Sequence, residues 1–191
     1  ANRRLAHLRT QRADQCQGRE LQGLIQKAAH TRFGRDHDFA AIQSVKDFQA
    51  RVPLRDYDDM RREYWQPDFP ILDNCTWPGR MPFFATTSGT TTGVQKYIPC
   101  SKEMVRSNRR AALDLLSHHL ANRPKSRIFG GKTFMLGSST ALVPEASGVY
   151  SGALSGIAAK TVPFWARSRF FPPQDLATLS DWEEKVSRVA E

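Results

Sequence analysis

Residues 83–99 read Phe-Phe-Ala-Thr-Thr-Ser-Gly-Thr-Thr-Thr-Gly-Val-Gln-Lys-Tyr-Ile-Pro, and nowhere else does the chain concentrate polar chemistry so densely. Six hydroxyl residues surround Gly89 and Gly93, and Lys96 follows three positions after the second glycine. Glycine lets backbone N–H groups turn towards one centre, and short hydroxyls add donors without crowding. Lysine adds a mobile point charge for phosphate oxygens. Such a stretch suits a loop that wraps a polyphosphate, and it equally suits a polar surface loop. Two commoner nucleotide loops are excluded. The Walker A pattern places four residues between its glycines and Lys-Ser/Thr directly after the second. Here only Thr90, Thr91 and Thr92 separate the glycines, and no G-x-G-x-x-G pattern is present.

The flanking residues must supply the elements that hold this loop. Phe83 to Ala85 form an apolar, β-prone entry, and Lys96 to Ile98 read as a strand that Pro99-Cys100 breaks. Ser101 is a good N-cap for a helix reaching about Leu120, with Val105, Ala112, Leu115, Leu116 and Leu120 on its apolar face. Lys132 to Leu136 read as a buried strand that exits into a second cluster, Gly137-Ser138-Ser139-Thr140, where α/β proteins often place binding loops. Residues 143–160 are small and Gly/Ser/Ala-rich, which suggests close backbone packing or a pocket lining.

Upstream, residues 1 to about 31 read as helical, with Leu21, Leu24, Ile25 and Ala28 on one stripe and Gly34 ending the region. Ser44 to Asp47 resemble a capping box, and Asp56 to Trp65 read as a further short helix. Residues 66–82 carry Pro67, Pro70, Pro78, Gly79 and Pro82, the punctuation of an irregular connection. At the far end, Asp175 to Ala190 read as a helix presenting Leu176, Leu179, Trp182, Val186 and Val189 on one face.

A chain of 191 residues, 40% hydrophobic and 25% charged, is ordinary globular material. No apolar run is long enough to span a bilayer, and the N-terminus lacks the apolar core of a secretory signal. Cys16, Cys75 and Cys100 are an odd, widely spaced set, read as free thiols in a reducing, cytoplasmic compartment. His118 and His119 are adjacent on one helix and point about 100° apart, so no metal site is expected there. The net charge of +9 admits nucleic acid, an acidic membrane surface or an anionic substrate. The basic residues are dispersed without a run or a nucleic-acid motif, which favours a general anion preference over a nucleic-acid partner.

Loop and flanks together resemble the GH3-type acyl-acid amido synthetases, a branch of the adenylate-forming superfamily. The family's phosphate motif reads Ser-Ser-Gly-Thr-Ser-x-Gly-x-x-Lys, and residues 87–96, Thr-Ser-Gly-Thr-Thr-Thr-Gly-Val-Gln-Lys, match it with threonine for serine at two positions. Three residues between the glycines follow the GH3 pattern, whereas the broader acyl-CoA ligase motif usually has two. Thr31-Arg32-Phe33-Gly34, Val52 to Tyr57, Leu136 to Thr140 and Ser155-Gly156-Ile157 extend the similarity across nearly the whole chain. It covers the N-terminal part of a much longer family, without the later Ser-Ser-Glu motif, the ribose-binding acid or the mobile C-terminal domain.

The resemblance implies an α/β fold: the N-terminal part of the large domain of an adenylate-forming enzyme, a helical segment followed by strands and helices. As one partial domain, residues 1–66 would be mainly helical, and residues 83–191 would be the α/β segment carrying the phosphate loop. It implies a two-step ligase reaction using ATP and Mg²⁺, in which a carboxylic acid is adenylated and an amine or amino acid displaces AMP. Thr87, Ser88, Gly89, Thr90, Thr91, Thr92, Gly93 and Lys96 would hold the phosphates, with Lys96 at the β/γ end. Leu142, Val143, Tyr150 and Leu154 are candidates for the acyl pocket, with core packing as the alternative, and no catalytic residue is assigned. The missing C-terminal part would be needed to complete catalysis. A coenzyme A ligase relative and, from another class, a non-catalytic basic module binding a polyanion are the competing expectations.

Overall fold

A computed structural model describes residues 2–87, 95–137 and 139–191. They form two compact units, Asn2–Met81 and Pro82–Glu191.

In the first unit, the expected N-terminal helical region is two helices, α1 (Asn2–Arg9) and α2 (Ala13–Ala28). The break has a local cause: the Thr10 hydroxyl donates to the His7 carbonyl at 2.9 Å and closes the last turn of α1. Gly34, expected to end the helical region, instead lies buried inside α3 (Arg32–Asp36). Thr31 N-caps α3 by accepting from the Gly34 N–H at 3.0 Å. A methyl group at Gly34 would collide with the Ala28 carbonyl, so glycine is needed here for close backbone approach.

After a short 3₁₀ turn (Phe39–Ala41) come α4 (Val45–Arg51) and α5 (Tyr57–Met60), the latter running on as a π-helical turn over Arg61–Trp65. Ser44 caps α4 as expected, accepting from the Asp47 N–H at 3.1 Å, while Asp47 accepts from the Gln43 N–H at 3.2 Å. Ile25, Ala28, Phe39 and Ile42 form the core, joined by Leu21, Phe33, Phe48, Val52 and Trp77; Leu24, placed on the same stripe, is exposed. Residues 66–81 do more than connect. Leu72, Cys75 and Met81 are buried, and the Arg32 and Phe33 N–H groups donate to the carbonyls of Asn74 and Cys75.

The second unit opens with β1 (Phe83–Thr86) and β2 (Tyr97–Cys100), followed by α6 (Lys102–Asn122) and β3 (Thr133–Phe134). Next come β4 (Val143–Ala146), β5 (Val149–Gly152), α7 (Leu154–Lys160), α8 (Phe164–Arg167), β6 (Phe170–Phe171), α9 (Gln174–Ala177) and α10 (Trp182–Ala190). The main sheet has the order β2-β1-β5-β4. Its central pair β1–β5 is parallel, and both outer pairs are antiparallel. Pro99 does not break β2: it pairs with Phe84 on the sheet's edge strand, where no second neighbour needs its missing N–H. Phe83, Cys100 and Ile157 centre the core, with Ala85, Val105, Leu142 and Tyr150 packed against them.

Ser101 caps α6 by accepting from the Met104 N–H at 3.1 Å, as expected. Of the expected apolar face of α6, Val105 packs against this core, Leu116 and Leu120 are half-buried, and Leu115 is 71% exposed. The strand expected to be buried over 132–136 is two residues long, pairs in parallel with β6, and leaves Phe134 60% exposed. The expected final helix is also two pieces. The Thr178 hydroxyl donates to the Asp175 carbonyl and closes α9, and Asp181 caps α10 by accepting from the Glu184 N–H at 2.8 Å. On α10, Trp182 and Val186 are exposed, and Lys185 is the buried residue. Among the described residues no helix is long and apolar enough to cross a membrane.

Candidate functional site

In sequence, the Ser/Thr/Gly stretch joins β1 to β2, which pair as an antiparallel hairpin. The ladder from Phe83↔Cys100 to Thr86↔Tyr97 is extended by one more rung. The Thr87 N–H donates to the Lys96 carbonyl at 3.1 Å, and the Lys96 N–H donates to the Thr87 hydroxyl at 3.3 Å. Two ends of the proposed phosphate loop are thus fastened to each other by backbone geometry. Ser88, Gly89, Thr90, Thr91, Thr92 and Gly93 lie outside the described residues. Thr87 and Lys96, nine positions apart in sequence, are brought side by side.

The hairpin tip shares its end of the sheet with a second feature. In the parallel pair, Ala85 is in register with Gly152, so β1 and β5 finish together. Ligands of α/β sheets collect at the carboxyl ends of parallel strands, where the backbone leaves the sheet. A methyl group at Gly152 would lie 2.6 Å from Leu142 Cδ2 and 2.9 Å from the Ala141 carbonyl oxygen. One at Gly156 would lie 2.7 Å from the Thr140 carbonyl oxygen. The segment after the second Gly/Ser/Thr cluster therefore presses directly on the β5–α7 turn. Of that cluster, the Ser139 hydroxyl donates to the Thr178 carbonyl at 2.6 Å, and the Thr140 N–H donates to the Ala177 carbonyl at 3.0 Å. Ser138 lies outside the described residues.

The acyl-pocket candidates divide. Leu142 and Tyr150 pack against the Phe83–Cys100–Ile157 core, whereas Val143 and Leu154 are exposed. The Tyr150 ring also carries the Lys160 ammonium 3.9 Å from its centroid. Burial pushes the Cys100 thiol up from its ordinary value, as it does the Cys75 thiol, which removes both as thiolate nucleophiles at neutral pH. His119 shares a 2.8 Å hydrogen bond with the Ser126 hydroxyl. Among the described residues no group of three or more His, Cys, Asp or Glu side chains is placed to hold a metal ion.

In the first unit, the Thr31–Gly34 and Val52–Tyr57 segments meet around one cation. The Arg55 guanidinium stands 5.9 Å from the Phe33 ring centroid and 5.7 Å from that of Tyr64. It also pairs with Glu63 at 2.7 Å and donates to His37 Nε2 at 3.0 Å. With Nε2 accepting, the hydrogen bond at Nδ1 to the Phe33 carbonyl (2.8 Å) fixes His37 as the neutral Nδ1–H tautomer. These contacts all lie within the first unit. The sequence carries no signal for the burial of His37 or Lys185, since a lone polar residue adds nothing to a periodic pattern.

Residues 4–190 match the family model described as the GH3 family N-terminal domain. Among solved structures, the chain is similar to "GH3.15 acyl acid amido synthetase", with a TM-score of 0.70 and 20% identity over 97% of this chain and 32% of that one. At that identity the likeness is one of fold, and the chain spans about a third of the length of that structure. No match was found among curated protein sequences.

Proposed function

Since this chain belongs to the GH3 family, we propose that the whole protein is an ATP-dependent acyl-acid amido synthetase whose phosphates are held at the tip of the β1–β2 hairpin. The observation that carries this reading is the cross-bonding of Thr87 and Lys96 at the carboxyl end of the parallel β1–β5 pair. It gives the glycine-containing loop a fixed base and sets a lysine at its exit.

In the first step a carboxylate oxygen attacks the α-phosphorus of ATP, the bond to the bridging oxygen breaks, and pyrophosphate leaves with that electron pair. In the second, an amine attacks the acyl carbonyl of the adenylate, loses a proton, and AMP departs. The electrostatic demand of step one is on the leaving phosphates. The Thr87 side, the loop N–H groups and the Lys96 ammonium are the groups this chain offers for it. Magnesium would accompany ATP on the nucleotide's own phosphate oxygens. The described residues offer no carboxylate cluster for the metal.

The partners in this reading are a carboxylic acid and an amine or amino acid, with the remaining length of the protein supplying the ribose contacts. The compartment in this reading is the cytoplasm. Acid-dependent exchange of labelled pyrophosphate into ATP tests the adenylation step. Lys96→Ala is expected to lower it about 10²–10³-fold, the loss typical of removing one preorganised donor, and Gly93→Val to abolish it. Unchanged exchange in both variants would remove the loop assignment. Offering amines and coenzyme A in parallel, with product masses as the readout, separates amide formation from thioester formation.

A further inference from the structure

Lys185 is 2% exposed. Its ammonium donates to the carbonyls of Gly137 at 3.2 Å and Ala177 at 3.1 Å. Burying an ammonium is unfavourable unless its donors are satisfied, and a hydrocarbon side chain of similar volume would fill the space without that penalty. What a hydrocarbon cannot do is tie two carbonyls from separate segments to one point. Gly137 opens the strand-exit loop, and Ala177 ends α9. The Ala177 carbonyl also accepts from the Thr140 N–H, and the Thr178 carbonyl accepts from the Ser139 hydroxyl. Gly137, through Lys185, and Ser139 and Thr140, directly, are therefore fastened to the α9–α10 corner. On its other side, the same segment meets Gly152 and Gly156 so closely that neither tolerates a methyl group.

We infer that Lys185 is a positioning residue, which sets Gly137 and the Ser139–Leu142 segment as a wall of the acid-binding side of the site. The loop is clamped between the α9–α10 corner and the β5–α7 turn, at the end of the sheet where Thr87 and Lys96 close the hairpin. It brings Leu142 and the start of α7 to that end, while the hairpin brings the phosphate-binding groups. The acid-binding half of this inference rests on the adenylation reading; the positioning half rests on the hydrogen bonds alone.

The test uses the full-length protein with Lys185→Met and Lys185→Arg, plus Lys185→Gln, which keeps a donor should the methionine variant not fold. Amide hydrogen exchange reads the loop, and pyrophosphate exchange reads KM and kcat. The methionine or glutamine variant is expected to lose protection locally over 137–142 and the first turn of α7. It should raise KM for the acid about tenfold, with kcat and KM for ATP nearly unchanged, and Lys185→Arg should recover most of both losses. Unchanged loop exchange, or a uniform loss of protection along the whole chain, would overturn the positioning role. A fall in kcat with KM for the acid unmoved would overturn the assignment to the acid side. No exchange in the unsubstituted protein would overturn the adenylation reading together with that assignment, and hydrogen exchange would still decide the positioning role.

Discussion

At the scale of single residues, the loop's base gives a sharp expectation. Thr87→Val keeps the β-branched shape but removes the hydroxyl that accepts the Lys96 N–H. It should lower pyrophosphate exchange while leaving the circular dichroism spectrum and unfolding midpoint within about 1 kcal/mol of the original, the scale of one neutral hydrogen bond. The cysteines give a second expectation. Cys75 and Cys100 are buried, and desolvation raises both thiols above their ordinary value of 9.0, whereas Cys16 is half-exposed. A thiol reagent at neutral pH should modify Cys16 quickly and the other two only after unfolding. The sign of the pH effect follows: a raised thiol favours the folded, protonated form, so the stabilisation is present below pH 9 and is lost as pH rises through the shifted values. Stability that did not fall above that pH would contradict it. The odd number and spacing of the cysteines already pointed to free thiols, but their separation into one half-exposed and two buried groups needed the packing.

At the scale of elements, the caps were legible and the breaks were not. Ser44 and Ser101 are local signals, because the N-cap hydroxyl and the backbone N–H it accepts from lie three residues apart. In α4, hydrogen bonds from the Ser44 hydroxyl and the Gln43 backbone hold Asp47 below the usual carboxylate range. A depressed carboxylate stabilises above its unfolded value and stops doing so as pH falls through its folded one. The first turn of α4 should therefore fray in acid before the core opens, and Asp47→Asn should remove that pH dependence, read by amide exchange at residues 45–48. Gly34 is the opposite case. A sequence reading takes glycine as a helix stop, yet here α3 continues through it because the Ala28 carbonyl lies where a Cβ would be. Gly34→Ala should destabilise the first unit by about 1–3 kcal/mol or more, the range for overpacking, since backbone cannot yield as a side chain can. A neutral result in urea unfolding would refute that close contact.

At the scale of the whole molecule, the basic residues behind the net charge of +9 are dispersed along the sequence. Arg32, Arg51, Arg55, Arg62, Arg106 and Arg188 are each paired with a carboxylate, and the pairs are spread over both units. Binding to a DNA duplex at physiological salt is expected to stay in the nonspecific range, about 10⁻⁴ to 10⁻⁶ M. Nanomolar affinity with a steep salt slope would favour the polyanion-binding alternative. The sequence by itself determined the family resemblance, the α/β character and the glycine-containing loop with its lysine. These are encoded in short spacings: glycine to glycine, glycine to lysine, cap to N–H. Only the tertiary structure decided that Pro99 can sit in a strand because that strand is an edge, that residues 66–81 are part of a core, and that Lys185 lies inside while Trp182 lies outside. Those outcomes depend on which distant segment arrives as a neighbour, here the Gly137 and Ala177 carbonyls from 48 and eight residues away. A pattern confined to one helix holds no record of that arrival.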